Sequence, residues 1–124
     1  MQIEGITWHG VTLDADQFSA MKSLLRDVLG LTPKIERDDW ALFPMQNGTV
    51  LDLFESGSEL IPPYGYNDAI VFGFRVDDID AAVVELEAAG CELLCEVRRV
   101  PEMHLAFCHF RGPDGRVYGI NQQI

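Results

Sequence analysis

The order of helix-like and strand-like runs predicts an α+β chain in which a βαβββ unit occurs twice. Two amphipathic segments, over roughly residues 16–29 and 78–89, each follow one strand-like run and precede three. Turn residues separate the runs in both halves at matching places. A local echo supports the repeat: NGTVLDL (Asn47–Leu53) returns as DGRVYGI (Asp114–Ile120), sharing a turn glycine, a valine two residues later and an aliphatic near the end. Two copies are too few for a solenoid, so the repeat points to a pseudo-symmetric domain.

Each element has its own signals. Ile6–Leu13 reads as the first strand. From Asp16 onward, Phe18, Met21, Leu24, Leu25, Val28 and Leu29 keep the spacing of one helix face. The Asp16 carboxylate is placed to accept an orphan backbone N–H at the helix start, and Gly30 to take the left-handed conformation that ends it. Strand-like runs follow at Pro33–Glu36, Trp40–Phe43 and Thr49–Phe54, with Asn47-Gly48 as a hairpin turn. Ser, Gly and the Pro62-Pro63 pair mark residues 56–68 as a linker.

In the second half, Ile70–Val76 is the leading strand. Alternation sets Val71, Gly73 and Arg75 on one face and Phe72, Phe74 and Val76 on the other, which packs on a helix. That helix begins at Asp77 or Asp78 and runs through Ile79, Ala82, Val83 and Leu86 to Gly90. Asp77, Asp78 and Asp80 lie against the positive end of its dipole. Glu92–Arg98, His104–Phe110 and Arg116–Asn121 complete the unit, with GPDG (Gly112–Gly115) as the turn. One domain of 124 residues results, with modules over about 1–55 and 69–124.

Composition bounds the function. At 48% apolar residues the chain can bury a core, and no apolar run approaches the ~20 residues of a membrane span. Nine basic residues against 20 acidic ones give a net charge of −11. Such a surface repels phosphate backbones and anionic headgroups, which argues against nucleic acid and membrane partners; it either favours a cationic ligand or, the commoner case, serves only to keep the protein soluble. MQIEGITWHG has no secretory pattern, so a cytoplasmic protein is expected. Cys91, Cys95 and Cys108 are odd in number and lack zinc-site spacing, so they read as buried free thiols.

The runs WHGVTLDAD (Trp8–Asp16), RDVLGL (Arg26–Leu31), FRVDDIDAAVVELEAAG (Phe74–Gly90) and HFRGPDGRVYGI (His109–Ile120) resemble, in order and spacing, the vicinal-oxygen-chelate superfamily of glyoxalases, bleomycin-resistance proteins and dioxygenases. The resemblance implies two modules whose curved mixed sheets enclose a cavity, commonly completed by a homodimer. It also implies metal-ligand positions on the first and last strand of each module, falling here on His9, Asp52, Val71 and Gly119. Registering the first strand one residue differently puts Gly10 in place of His9.

Val71 and Gly119 cannot coordinate a metal, and two ligands of four are too few for a catalytic site. The expectation is therefore a degenerate site without a cofactor, with a divalent metal as the alternative. Asp52 needs a partner in an otherwise apolar strand, and His9 or Arg75 is the expected one. The ligand-binding candidates are Asp52, Arg75, His9 and Trp40. Phe43, Tyr64 and Tyr66 are possible cavity walls or simple core. His104 and His109 are expected on one strand but on opposite faces, so they cannot share a metal. Two functions follow: a metal-independent small-molecule binding protein, or a metal-dependent glyoxalase- or dioxygenase-like enzyme acting on a small oxygen-rich substrate.

Overall fold

Strand β1 (Ile3–Leu13) leads into helix α1 (Ala15–Ser23), which continues as a π-helical turn over Leu24–Val28. Three strands follow, β2 (Ile35–Glu36), β3 (Trp40–Pro44) and β4 (Val50–Glu55). The second half runs β5 (Ile70–Val76), α2 (Ile79–Ala88), β6 (Glu92–Leu93), β7 (Arg98–Val100), a 3-10 turn (Pro101–Met103), β8 (Leu105–Arg111) and β9 (Val117–Gln123). This computed structural model describes all residues, Met1–Ile124. The chain divides into two units, Trp8–Val71 and Met1–Thr7 with Phe72–Ile124, so both divisions fall within strands.

In the unit Trp8–Val71 the strands lie in the order β2, β3, β4, β1. The first two pairings are antiparallel, and β4 runs parallel to β1. One face carries the apolar set Ala41, Phe43, Leu53, Val11, Leu13 and Leu51, which packs with Phe18, Met21 and Leu25 of the α1 segment. Period-2 alternation therefore turns Trp8, Gly10, Asp52, Trp40 and Leu42 to the opposite face.

The other unit has the same plan. β6 and β7 both pair antiparallel with β8, β8 pairs antiparallel with β9, and β9 runs parallel to β5. Ile79 and Ala82 of α2 pack on Val76, Ala106, Cys108, Phe110 and Ile120, with Phe74 beside them. Phe72 is the exception to the face read from the sequence, since it stays exposed. The shared strand order bears out the repeated α+β unit. No helix is long and apolar enough to cross a membrane.

Three local expectations are corrected. Helix α1 is capped by Asp14, not Asp16: the Asp14 carboxylate accepts from the Gln17 N–H at 2.8 Å, and the Gln17 side chain returns a bond to the Asp14 N–H. This reciprocal capping box satisfies two orphan donors, and Asp16 is left in the first turn. The strand expected over Glu92–Arg98 is broken into β6 and β7. Between them the Cys95 sulfur, rather than a backbone carbonyl, accepts the His109 N–H at 3.3 Å, interrupting the ladder. His104 precedes β8 instead of lying on it, in a left-handed conformation (φ 53°) that closes the 3-10 turn.

Candidate functional site

Asp52 sits in the middle of β4, with Gly10 beside it on β1 and Leu42 beside it on β3. It is 7% exposed. Both of its oxygens are occupied by indoles: Trp8 Nε1 donates to Oδ2 and Trp40 Nε1 donates to Oδ1, each at 2.7 Å. The strands set this geometry. Trp8 lies two residues before Gly10, and Trp40 two residues before Leu42, so each indole reaches Asp52 diagonally on the same face. The partners expected from sequence, His9 and Arg75, are not the ones used.

Further aromatic rings pack beside Trp8. Tyr66 packs edge-on to Trp8, with ring centroids 5.4 Å apart, and lies 5.4 Å from the Phe54 ring. Gly10 is required by this crowding: a Cβ there would stand 2.7 Å from Val71 Cγ1 and 3.3 Å from the Trp8 ring. Burial raises the Asp52 carboxyl to about 6, because desolvation of the anion outweighs the stabilising bonds from Trp40 and Trp8. The carboxylate has two indole donors and no ion-pair partner.

The other candidates are placed as follows. Trp40 joins Asp52 directly. His9 shares the strand parity of Val11 and Leu13, so it turns toward the α1 side, and its Nδ1 lies 3.4 Å from the Val50 carbonyl. Arg75 belongs to the other unit, opposite Asn121 of β9. His109 is 5% exposed on β8, with its Nδ1 4.0 Å from the Cys95 sulfur. Burial and the nearby Arg98 lower its imidazole to about 4. Cys108 is a buried thiol pushed up to about 12 by desolvation.

Trp8, which the sequence does not single out, joins Asp52 in the structure. Its signal lay in the alternation of β1, where Trp8 and Gly10 share a face that His9 does not.

The family model of the Glyoxalase/Bleomycin resistance protein/Dioxygenase superfamily matches residues 9–117. The chain belongs to this superfamily. It is 34% identical over 119 residues to the uncharacterized protein YaeR of Escherichia coli (strain K12), covering 86% of this chain and 88% of YaeR. Its fold is similar to the Mn(II)-bound glyoxalase from Novosphingobium aromaticivorans, with TM-score 0.75, 24% identity, 99% of this chain and 40% of that one. A superfamily member from Vibrio splendidus 12B01 gives TM-score 0.63 at 18% identity, covering 98% of this chain and 99% of its own. Methylmalonyl-CoA epimerase from Streptomyces coelicolor, in complex with 2-nitronate-propionyl-CoA, gives TM-score 0.68 at 15% identity, again covering 98% and 99%. At these identities the structural likeness speaks for the fold.

Register refines the superfamily positions. Gly10 pairs with Asp52 as Gly73 pairs with Gly119. The residue two places before each glycine is Trp8 on β1 and Val71 on β5, so Trp8 and not His9 matches Val71. A divalent cation does not fit the residues present at Asp52. Asp52 is the one ligating side chain at these positions, where a metal needs three or four, and the matching position holds an indole with no lone pair to give. No three His, Cys, Asp or Glu side chains are grouped to hold a metal.

Proposed function

We propose that this superfamily member is a small-molecule binding protein that holds a cationic ligand at the Asp52 face and uses no metal there. The observation that carries this reading is the Asp52 carboxylate, buried without an ion-pair partner and held by the indoles of Trp8 and Trp40. A ligand ammonium would supply the missing countercharge, and the aromatic faces would add cation–π attraction. The net charge of −11 draws such a ligand toward the protein. The bleomycin-resistance branch offers the same mode of action, capture rather than turnover. The working form is a homodimer, with light scattering expected to give about twice the 13.9 kDa chain mass.

The metal-dependent enzyme reading loses its footing at the indole-bonded carboxylate. The test uses the two tryptophans of the chain, both of which touch Asp52. Alkyl- and arylammonium ions should change indole emission saturably, the matched alcohols should not, and Asp52→Asn should weaken binding by about tenfold or more. Manganese, zinc, nickel and cobalt should give no submicromolar isotherm. Ammonium binding that ignores Asp52→Asn overturns the reading, as does submicromolar metal binding abolished by that substitution.

A further inference from the structure

Twenty acidic residues outnumber nine basic ones, yet two arginines on one sheet face have no carboxylate partner. Arg75 forms no ion pair, and its Nε is buried without a hydrogen-bond acceptor. Arg98 is exposed and makes no ion pair either; its guanidinium lies 5.8 Å from the centre of the Phe107 ring.

Register places these residues in one row. Arg75 of β5 is the partner of Asn121 on β9, Asn121 is the partner of Phe107 on β8, and Phe107 is the partner of Arg98 on β7. Directly paired residues project to the same side of a sheet, so the row Arg75, Asn121, Phe107, Arg98 crosses four strands on one face, ~14 Å from end to end at the backbone. Alternation puts this face opposite the one that carries Ala106, Cys108, Phe110 and Ile120 against α2. The Thr7 hydroxyl donates to Asn121 Oδ1 at 3.2 Å, which leaves the Asn121 Nδ2 amide as a donor for something else. His109, next on the same face of β8, lies with its ring 5.7 Å from that of Phe107. Glu92, the partner of Arg111 across β6 and β8, pairs with the Arg111 guanidinium at 3.6 Å.

The row thus offers a planar guanidinium with an unused N–H, an amide donor, an aromatic ring and a second cation, with no protein anion among them. A guanidinium fork matches a carboxylate in two parallel bonds, and a ring accepts a flat apolar body. We propose that this face of the β5–β9–β8–β7 sheet is a binding site for an organic acid, its carboxylate on Arg75 and Asn121 and its apolar body over Phe107, with Arg98 as the second cation. The site goes beyond the Asp52 reading and involves none of its residues.

Benzoate is the probe, with benzyl alcohol as its uncharged counterpart and inorganic phosphate as the competing anion. In nitrogen-15 NMR spectra of the full chain, benzoate should shift the Arg75 Nε–H signal and the backbone signals of Gly73, Arg75, Phe107 and Asn121 saturably. Benzyl alcohol should not shift them, and phosphate should bind more weakly than benzoate. Arg75→Gln should weaken benzoate by about tenfold or more, Arg75→Lys by several-fold because it keeps the charge without the fork, and Arg98→Gln by several-fold. If Arg75→Gln does not fold, the Lys and Arg98 variants decide. The proposal is overturned if benzoate shifts none of these signals at tens of millimolar. It is equally overturned if the variants bind benzoate like the parent, if benzyl alcohol matches benzoate, or if phosphate binds the row in its place. These signals are separate from the indole emission at Asp52, so each binding test can fail without the other.

Discussion

Trp8 and Asp52 lie on neighbouring parallel strands, and the indole Nε1–H of Trp8 donates to Oδ2 of Asp52 at 2.7 Å. Trp40 closes the other oxygen from the antiparallel side. A position that resembles a metal ligand's in this superfamily therefore serves here as a hydrogen-bond donor. The carboxylate is held by two indoles, and its titration follows from burial, which raises it, against these two bonds, which lower it.

Two buried groups should drive stability in opposite directions over the same pH window. Asp52 is raised from 3.8 to about 6 on folding, so its neutral form stabilises the fold, and that contribution is lost as pH rises through about 6. His109 is lowered from 6.5 to about 4, so its neutral form contributes above 6.5, and that contribution is lost as pH falls through about 4. Each effect is worth roughly 3 kcal/mol across the window, so the two nearly cancel in the parent. Urea unfolding from pH 4 to 7 should show Asp52→Asn gaining stability with pH and His109→Gln losing it. Two variants that keep the parent's pH profile would refute the assignment.

Gly10 should tolerate no side chain. With its Cβ 2.7 Å from Val71 Cγ1, Gly10→Ala is expected to cost about 1–3 kcal/mol, and Val71 is fully buried and has nowhere to move. Adding Val71→Ala should recover part of that loss, so that the double variant is less destabilised than the sum of the singles by about 0.5 kcal/mol or more. Strict additivity would mean that the two side chains do not compete for this space.

The cap of α1 separates two aspartates that look alike in sequence. Asp14→Ala should cost about 1 kcal/mol of unfolding free energy, and Asp16→Ala less than about 0.5. Equal losses would argue against the Asp14 capping box.

The fold was legible because its signals are local and repeated. Amphipathic spacing, the Asn47-Gly48 and GPDG turns and the echo at Val50 and Val117 all specify the same unit twice. The cap was misplaced because pairing Asp16 with Gly30 assumed an unbroken α-helix, whereas a π-helical turn occupies Leu24–Val28. The D-x-x-Q box beginning at Asp14 was present to be read. The break in Glu92–Arg98 depends on Cys95 taking an N–H from His109, fourteen residues away, which no local pattern reveals. At the site, Asp52 and Trp40 were visible as a buried acid and a wall. His9 drew attention as the residue type that binds metals, although its strand parity already turned it away from Asp52. The row from Arg75 to Arg98 needs four strands in register, and that information lies outside any single segment.

The central claim, that both indoles share the Asp52 carboxylate, is tested most directly by following the two Trp Nε1–H resonances in nitrogen-15 NMR as pH is lowered from 8 to 4. Both signals should move together along one titration curve with a midpoint of about 6, and neither should titrate in Asp52→Asn. Indole signals that do not respond to pH, that move along separate curves, or that still titrate in Asp52→Asn would contradict it.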